Sequence, residues 1–262
     1  MEKTIKDRNF DDLAHKFRKK VYGKIKGQIR LAVLENDLKE FFPLLYRNPA
    51  IEPINILDAG CGHAPFSLEL ARFGHRVTLC DHSKGMLDIA RESFDPPAAP
   101  EKVYPCAIQK LPETLFEQFD LVLCHAVLEW TMDPREMIGS LIQFLKKDGI
   151  LSLTFYNLNG TIYKNLLRTN YKKILKKAYA GWPGSLTPTR PLLPEDVLKW
   201  LGCHPVKILC HSGMRVFHDY VLNLEDQKKA PDTVIALELE FSRVMPFRDL
   251  GRYQHILVKN SV

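Results

Sequence analysis

The run Ile56-Leu57-Asp58-Ala59-Gly60-Cys61-Gly62, followed by Asp81 at the end of the next apolar stretch, is the strongest chemical signal in the chain. Glycines at a strand-to-helix turn let backbone approach a ligand closely, and an acid ending the next strand can accept from both hydroxyls of a ribose. A dinucleotide site would place a third glycine at Pro65 and would not need Asp58. An acid just before the first glycine suits a ligand carrying an ammonium group instead of a pyrophosphate. Asp58, Gly60, Gly62 and Asp81 therefore describe a site for an amino-acid nucleoside. The plain structural alternative is a strand-turn-helix whose glycines serve packing alone.

The elements that position these residues are readable from periodicity. Apolar side chains at Ile29, Leu31, Leu34, Leu38, Phe41 and Leu45 predict an amphipathic helix, ended by Pro49 and Pro53. Strand-like runs follow over Ile54–Ala59, Arg76–Cys80, Val103–Ala107, Phe119–Cys124 and Ile150–Phe155. Helices are expected between them at Pro65–Phe73, Ser83–Ser93 and Pro134–Lys146. Continuous apolar runs such as Leu121-Val122-Leu123 suit a sheet covered on both faces, which predicts a parallel, doubly wound α/β core. The pattern resumes with a helix at Pro194–Leu201, a strand at Val206–Val216, a helix at Thr233–Val244 and a strand at Tyr253–Val258.

Between Gly149 and Pro194 there is no Asp or Glu, while Lys164, Arg168, Lys172, Lys173, Lys176, Lys177 and Arg190 supply fixed positive charge. This segment reads as an inserted basic cap. If helical, it would set a stripe of Lys164, Arg168, Lys172 and Lys176 beside one of Tyr163, Tyr171 and Tyr179, a surface suited to phosphates and bases. The rival reading is a solvated charged face.

The 262 residues, 45% hydrophobic and 26% charged, fit one large domain and exclude collagenous, disordered and disulfide-scaffold classes. The expected organisation is a single domain over 1–262: an N-terminal helical segment to residue 50, a ligand-binding half at 54–157, the cap at 158–193 and a C-terminal half at 194–262. The net charge of +6 is too small by itself to demand a polyanionic partner. Cys61, Cys80, Cys106, Cys124, Cys203 and Cys210 form no C-x-x-C pair, so they read as reduced packing residues and no metal is expected. The start of the chain lacks an apolar leader and no stretch reaches the ~18 apolar residues of a membrane span, which predicts a cytoplasmic protein.

With Asp58, Gly60, Gly62 and Asp81 in place, the chain resembles the class I S-adenosylmethionine (SAM)-dependent methyltransferases. Its flanks carry the likeness further: Asp7-Arg8-Asn9-Phe10-Asp11-Asp12, Gly27-Gln28-Ile29-Arg30, His125-Ala126-Val127-Leu128-Glu129-Trp130, Phe155-Tyr156-Asn157, Arg215-Val216-Phe217-His218-Asp219-Tyr220 and Leu250-Gly251-Arg252-Tyr253. Together they are similar to the bacterial tRNA 5-carboxymethoxyuridine methyltransferase family, from about Asp7 to Val258. The likeness is loosest in the basic cap and at Cys61, where that family often has a glycine. It implies a Rossmann-like fold with a mostly parallel seven-stranded sheet, helices on both faces, N-terminal helices and the cap. It implies SAM as cofactor, the tRNA anticodon loop as partner, and esterification of a modified wobble uridine to 5-methoxycarbonylmethoxyuridine. It would place Arg30 on the methionine carboxylate, Gly60 and Cys61 along the cofactor, Asp81 on its ribose, Ile108 beside the adenine and His125 near the sulfonium. Each has a structural rival: Arg30 as a solvated helix residue, Ile108 as core, His125 as a satisfied core histidine.

A carboxylate acceptor with a pKa of ~4 is already ionised at neutral pH, so no general base is required and the rate of methyl transfer should be flat above that value. The site must align and desolvate the acceptor without neutralising it, a task for an arginine fork. Arg215 is the first candidate for that fork and Arg252 the second, a surface salt bridge being the alternative for either. Tyr22, Tyr156, His218 and Tyr253 are candidates to hold an everted base, or else packed aromatics. Lys172, Lys173, Lys176 and Lys177 are the expected phosphate contacts. Two other functions remain open at this point: methylation of a small-molecule acid, and a catalytically silent SAM-binding subunit.

Overall fold

The computed structural model describes residue 11, residues 25–181 and residues 187–262. Strands β1 (Asn55–Ala59), β2 (Arg76–Cys80), β3 (Lys102–Tyr104), β4 (Phe119–His125), β5 (Leu145–Tyr156), β6 (Val206–Met214) and β7 (Tyr253–Asn260) form one sheet ordered β3-β2-β1-β4-β5-β7-β6. The first five are parallel, and β7 runs antiparallel between β5 and β6. The order reverses between β1 and β4, and a crevice forms beyond the carboxyl ends of strands at such a point.

The helices are α1 (Ile25–Phe41), α2 (Pro65–Phe73), α3 (Lys84–Ser93), α4 (Pro134–Gln143), α5 (Leu158–Leu167), α6 (Tyr171–Leu175), α7 (Pro194–Leu201), α8 (Pro231–Phe241) and α9 (Phe247–Leu250). Alternate strand residues feed opposite layers. Leu57, Val122 and Cys124 meet Ile138, Leu141, Val197 and Leu201 of α4 and α7, whereas Ile56, Leu121 and Leu123 meet Leu38, Leu70 and Leu87 of α1, α2 and α3. Local chemistry fixes several ends. Asp133 caps α4 by accepting from Arg135 N and Glu136 N, Pro65 and Pro134 fill first helical positions, and Gly74 ends α2 at φ +110°.

The predicted elements differ at a few edges. β3 stops at Tyr104, and α4 ends at Gln143 because the chain enters β5 at Leu145, five residues ahead of Ile150. Cys203 is exposed, so it is not the packing residue expected. No helix among the described residues is long and apolar enough to cross a membrane.

The cap is closed at its base. Asn157 and Leu192 form a parallel bridge, with Leu158 N donating to Leu192 O and Leu192 N to Tyr156 O. Its first helix, α5, lies hard against the turn before β7: the buried Asn157 amide donates to Asp249 O and Gly251 O at 2.8 and 2.7 Å. A Cβ at Gly160 would stand 2.7 Å from Leu250 O, 2.8 Å from Gly251 O and 2.9 Å from Tyr220 Oη, all but the last being backbone. Gly160→Ala should therefore destabilise the protein by about 1–3 kcal/mol through overpacking, read as a lower denaturation midpoint with an unchanged m-value. An unaltered midpoint would mean that α5 docks loosely.

Candidate cofactor and acceptor site

The crevice beyond β1 and β4 is an open cleft lined by Arg30, Gly60, Cys61, Gly62, Asp81, Ile108 and His125 among others. The turn after β1 needs its glycines for geometry. Gly60 and Gly62 hold φ +77° and +56°, and a Cβ on Gly60 would sit 2.5 Å from Val127 Cγ2. Asp81 takes one backbone hydrogen bond on each oxygen, from Gly62 N and Ser83 N, both at 2.8 Å. Two lone pairs remain for ribose hydroxyls. Burial pushes the Asp81 carboxyl up, the two amides pull it down, and nearby Asp11 pushes it up again.

Asp11 is a contact the glycine motif does not announce. Its Oδ1 accepts from Ser83 Oγ at 2.6 Å and Gly85 N at 3.0 Å, at the start of α3 beside Asp81.

Asp58 is placed differently from the expectation. It accepts a hydrogen bond from Ser67 Oγ, is 6% exposed and does not line the cleft, so it braces the turn against α2. Burial and the neighbouring Asp81 raise its carboxyl to about 7 against the pull of Ser67.

Arg30 is not a solvated helix residue: it is buried, lines the cleft, and carries its guanidinium carbon 4.3 Å from the centroid of the Tyr253 ring. Arg215 approaches the same ring at 5.3 Å. Tyr253 thus links the cleft lining, through Arg30, to a second cluster of charged side chains built around Asp219.

Asp219 is 4% exposed and surrounded by cations from four parts of the fold. Lys26 Nζ of α1 lies 3.4 Å from Oδ1; Lys164 Nζ of α5, Arg252 Nε and Arg215 Nη1 lie 3.4, 3.4 and 3.7 Å from Oδ2. Burial raises the Asp219 carboxyl, but Arg215, His218 and the lysines outweigh it and hold it well below the usual range. Burial also depresses Lys164 to about 8 despite Asp219. The segment carrying Arg215 and Asp219 is anchored by Glu238 of α8, whose carboxylate accepts from Val216 N at 2.6 Å, His218 N at 2.8 Å and Phe217 N at 3.2 Å. This grip holds Arg215 at φ +57°.

Several expected acceptor contacts are structural. Arg252 donates to Gly160 O at 2.6 Å and to Tyr156 Oη, so two corners of its fork are spent on the protein. Tyr156 is buried edge-on to Tyr253, and His218, 1% exposed, faces Gln227 O with Nε2 at 3.1 Å. Neither presents a face to a base. Tyr22 lies outside the described residues. The single basic stripe does not form either, because the helix breaks at Arg168–Asn170 with Thr169 at φ +57°. Lys164 turns inward to Asp219, while Lys172, Lys173, Lys176 and Lys177 stay at the surface on and just after α6. The spacing of Arg215 and Asp219 was a visible signal for the basin; nothing local marked Lys26, Lys164 or Glu238.

Glu129 of the His125–Trp130 run is fully buried, neither oxygen has a hydrogen-bond partner among the described residues, and burial, opposed by nearby backbone amides and Arg30, raises its carboxyl to about 8.

A glycine turn, a ribose-type acid and an arginine at the far end of one crevice are the fittings of a SAM-dependent methyltransferase, and residues 57–153 match the family described as Methyltransferase domain. Solved structures agree on the fold: magnesium protoporphyrin IX methyltransferase from Synechocystis PCC 6803 with bound SAH aligns with TM-score 0.60 at 18% identity, covering 96% of both chains. A putative SAM-dependent methyltransferase from Listeria monocytogenes aligns with TM-score 0.57 at 14% identity, over 89% of this chain and 99% of that one. The tRNA 5-carboxymethoxyuridine methyltransferase of Escherichia coli K12 is 36% identical over 97% of each chain, and the present chain belongs to that family.

The residues fit SAM on their own evidence: open space beside cleft-lining Gly62, where a Cβ would meet no protein atom within 4 Å, and spare acceptor capacity on Asp81. Asp81→Ala should weaken SAM binding roughly tenfold or more in calorimetry, since hydrogen bonds to a charged group contribute ~1.5–3 kcal/mol. Equal affinity in the variant would remove the ribose from β2.

Proposed function

We propose that this chain methylates the carboxylate of 5-carboxymethoxyuridine at the wobble position of tRNA, giving the methyl ester, and that the acceptor carboxylate enters the Asp219 basin. The observation that carries this reading is the excess of fixed cations there: Lys26, Lys164, Arg215 and Arg252 surround one carboxylate, and Arg215 shares the Tyr253 ring with cleft-lining Arg30. A second anion would find compensation in that basin. The full-length likeness to a protein of that name supports the choice of acceptor.

SAM, when bound, supplies the methyl group as an electrophilic carbon on its sulfonium. Arg215 holds the acceptor carboxylate by one edge; its Nε has no hydrogen-bond partner among the described residues and its Nη1 is only loosely engaged by Asp219. A carboxylate gripped there keeps its charge and its free lone pairs, so the protein abstracts no proton and its task is alignment and exclusion of water. Glu238 and Asp219 position Arg215 without touching the reacting atoms. The lysines of α6 lie outside the basin, where they would meet the phosphates of the anticodon arm.

Arg215→Ala should lower turnover of tRNA with SAM affinity intact, and Arg215→Lys should rescue it poorly, because an ammonium cannot reproduce a two-point fork. Full activity of both variants would move the carboxylate elsewhere. The level profile expected from the acceptor alone gains one limb from the basin. Lys164 loses its proton as the pH rises through about 8, so kcat/KM for tRNA should fall there while kcat at saturating tRNA stays level. Lys164→Arg, charged throughout, should abolish the limb; its persistence would assign it to another group. Replacing Lys172, Lys173, Lys176 and Lys177 together by alanine should weaken tRNA binding and flatten its salt dependence, whereas an unchanged slope would make α6 a solvated face.

A further inference from the structure

His125 lines the cleft at the end of β4, but its Nε2 is turned into the sheet, 2.8 Å from Ser152 Oγ of β5. The same hydroxyl lies 2.9 Å from His255 Nε2 of β7. His255 Nδ1 lies 2.7 Å from Asp37 Oδ2 of α1, and Asp37 Oδ1 pairs with Arg243. Ser152, His255 and Asp37 are all 0% exposed. Arg243 leads outward to Glu40 at 2.7 Å.

One proton arrangement satisfies this chain without a buried excess charge. Burial pushes the Asp37 carboxyl up, but His255 and Arg243 outweigh it and hold it below the usual carboxylate range, so Asp37 is an acceptor only. Arg243 balances Asp37 at the buried end of their pair, while Glu40 on its other arm is half exposed to solvent, and the arrangement that adds no further charge to the core keeps a single hydrogen on His255. His255 therefore donates from Nδ1 to Asp37 and accepts at Nε2 from Ser152. The hydroxyl, having given its one hydrogen, accepts from His125 Nε2. Nδ1 of His125, the ring nitrogen on the side away from the sheet, is left with a lone pair and no hydrogen-bond partner among the described residues. Asp37, Cys210 and His255 also present metal-type atoms within 4.8 Å of one another, but both Asp37 oxygens are engaged, one by a guanidinium, so the cluster is a relay and not a cation site.

The sheet order says which part of the cofactor this lone pair meets. Ile108, after β3, and Asp81, after β2, mark the adenine and ribose ends; β4 lies on the other side of β1, and His125 lies close enough to Arg30 to feel its charge. That half of the cleft takes the sulfonium and methionyl group. We propose that Asp37, His255 and Ser152 are positioning residues that hold His125 as the Nε2–H tautomer, so that the Nδ1 lone pair faces the sulfonium and the cleft prefers SAM to its uncharged demethylated product. The inference rests on SAM occupying the cleft and is independent of the identity of the acceptor.

Asp37→Asn inverts the relay. Arg243 keeps the amide oxygen, the amide nitrogen donates to His255 Nδ1, and each hydrogen downstream reverses, which ends with a hydrogen on His125 Nδ1. Calorimetry with SAM and with S-adenosylhomocysteine should show SAM binding weakened roughly tenfold and product binding within about twofold of the parent. Loss of both ligands to the same degree would place His125 on the shared ammonium and overturn the proposal, as would unchanged SAM affinity. Should the variant fail to fold, nitrogen NMR of histidine-labelled parent protein decides alone, with His125 assigned by the signal missing in His125→Gln. A protonated Nε2 and bare Nδ1 are expected; a protonated Nδ1 refutes the relay. Asp81→Ala, which weakens both ligands through the ribose, separates failure of the SAM site itself from failure of this inference.

Discussion

The carboxylate of Asp219 draws Lys26 of α1, Lys164 of α5, Arg215 after β6 and Arg252 before β7 into one buried basin. Without a negative charge at that point, four cations so close would repel one another and the segments bearing them would separate. The interaction is thus a join between the N-terminal helix, the cap and the two last strands, and in the proposed function it is also where the acceptor anion enters. Its stabilising effect is complete above the ordinary carboxylate range and is lost as the pH falls through the depressed value of Asp219.

The arrangement separates two electrostatic tasks along one sheet edge. Beyond β1, β2 and β4, glycine turns, a hydrogen-bonded acid and an uncharged histidine face a cationic cofactor. Beyond β6 and β7 lies the cationic basin proposed for the anionic acceptor, and Arg30 and Arg215 both lie against the Tyr253 ring. Buried Glu238, holding three successive amides, fixes the strained turn from which Arg215 projects. Alignment of a charged nucleophile with a charged electrophile needs rigid placement, and these contacts provide it.

The parts of this account visible in the sequence were those written locally. The turn at Gly60–Gly62, Asp81, and most helix ends followed from glycines, prolines and capping residues close in the chain. What stayed hidden depends on tertiary placement. Lys164 looked like one tooth of a solvated stripe because its partner lies 55 residues away, and the stripe itself failed where Thr169 breaks the helix. Asp37 and His255 are 218 residues apart, and no spacing rule connects them. The Asp58 pattern is local and real, but its placement against Ser67, away from the cleft lining, depends on how α2 packs on the turn.

The central claim is that the cationic basin serves a nucleoside carboxylate on tRNA. Mass spectrometry of nucleosides from 5-carboxymethoxyuridine-containing tRNA, after incubation with purified protein and SAM, tests it most directly. That nucleoside should convert to a species one methylene heavier, with ester lability to mild alkali, only when both tRNA and SAM are present. An unchanged nucleoside, or turnover of SAM on a small carboxylic acid without tRNA, would contradict it.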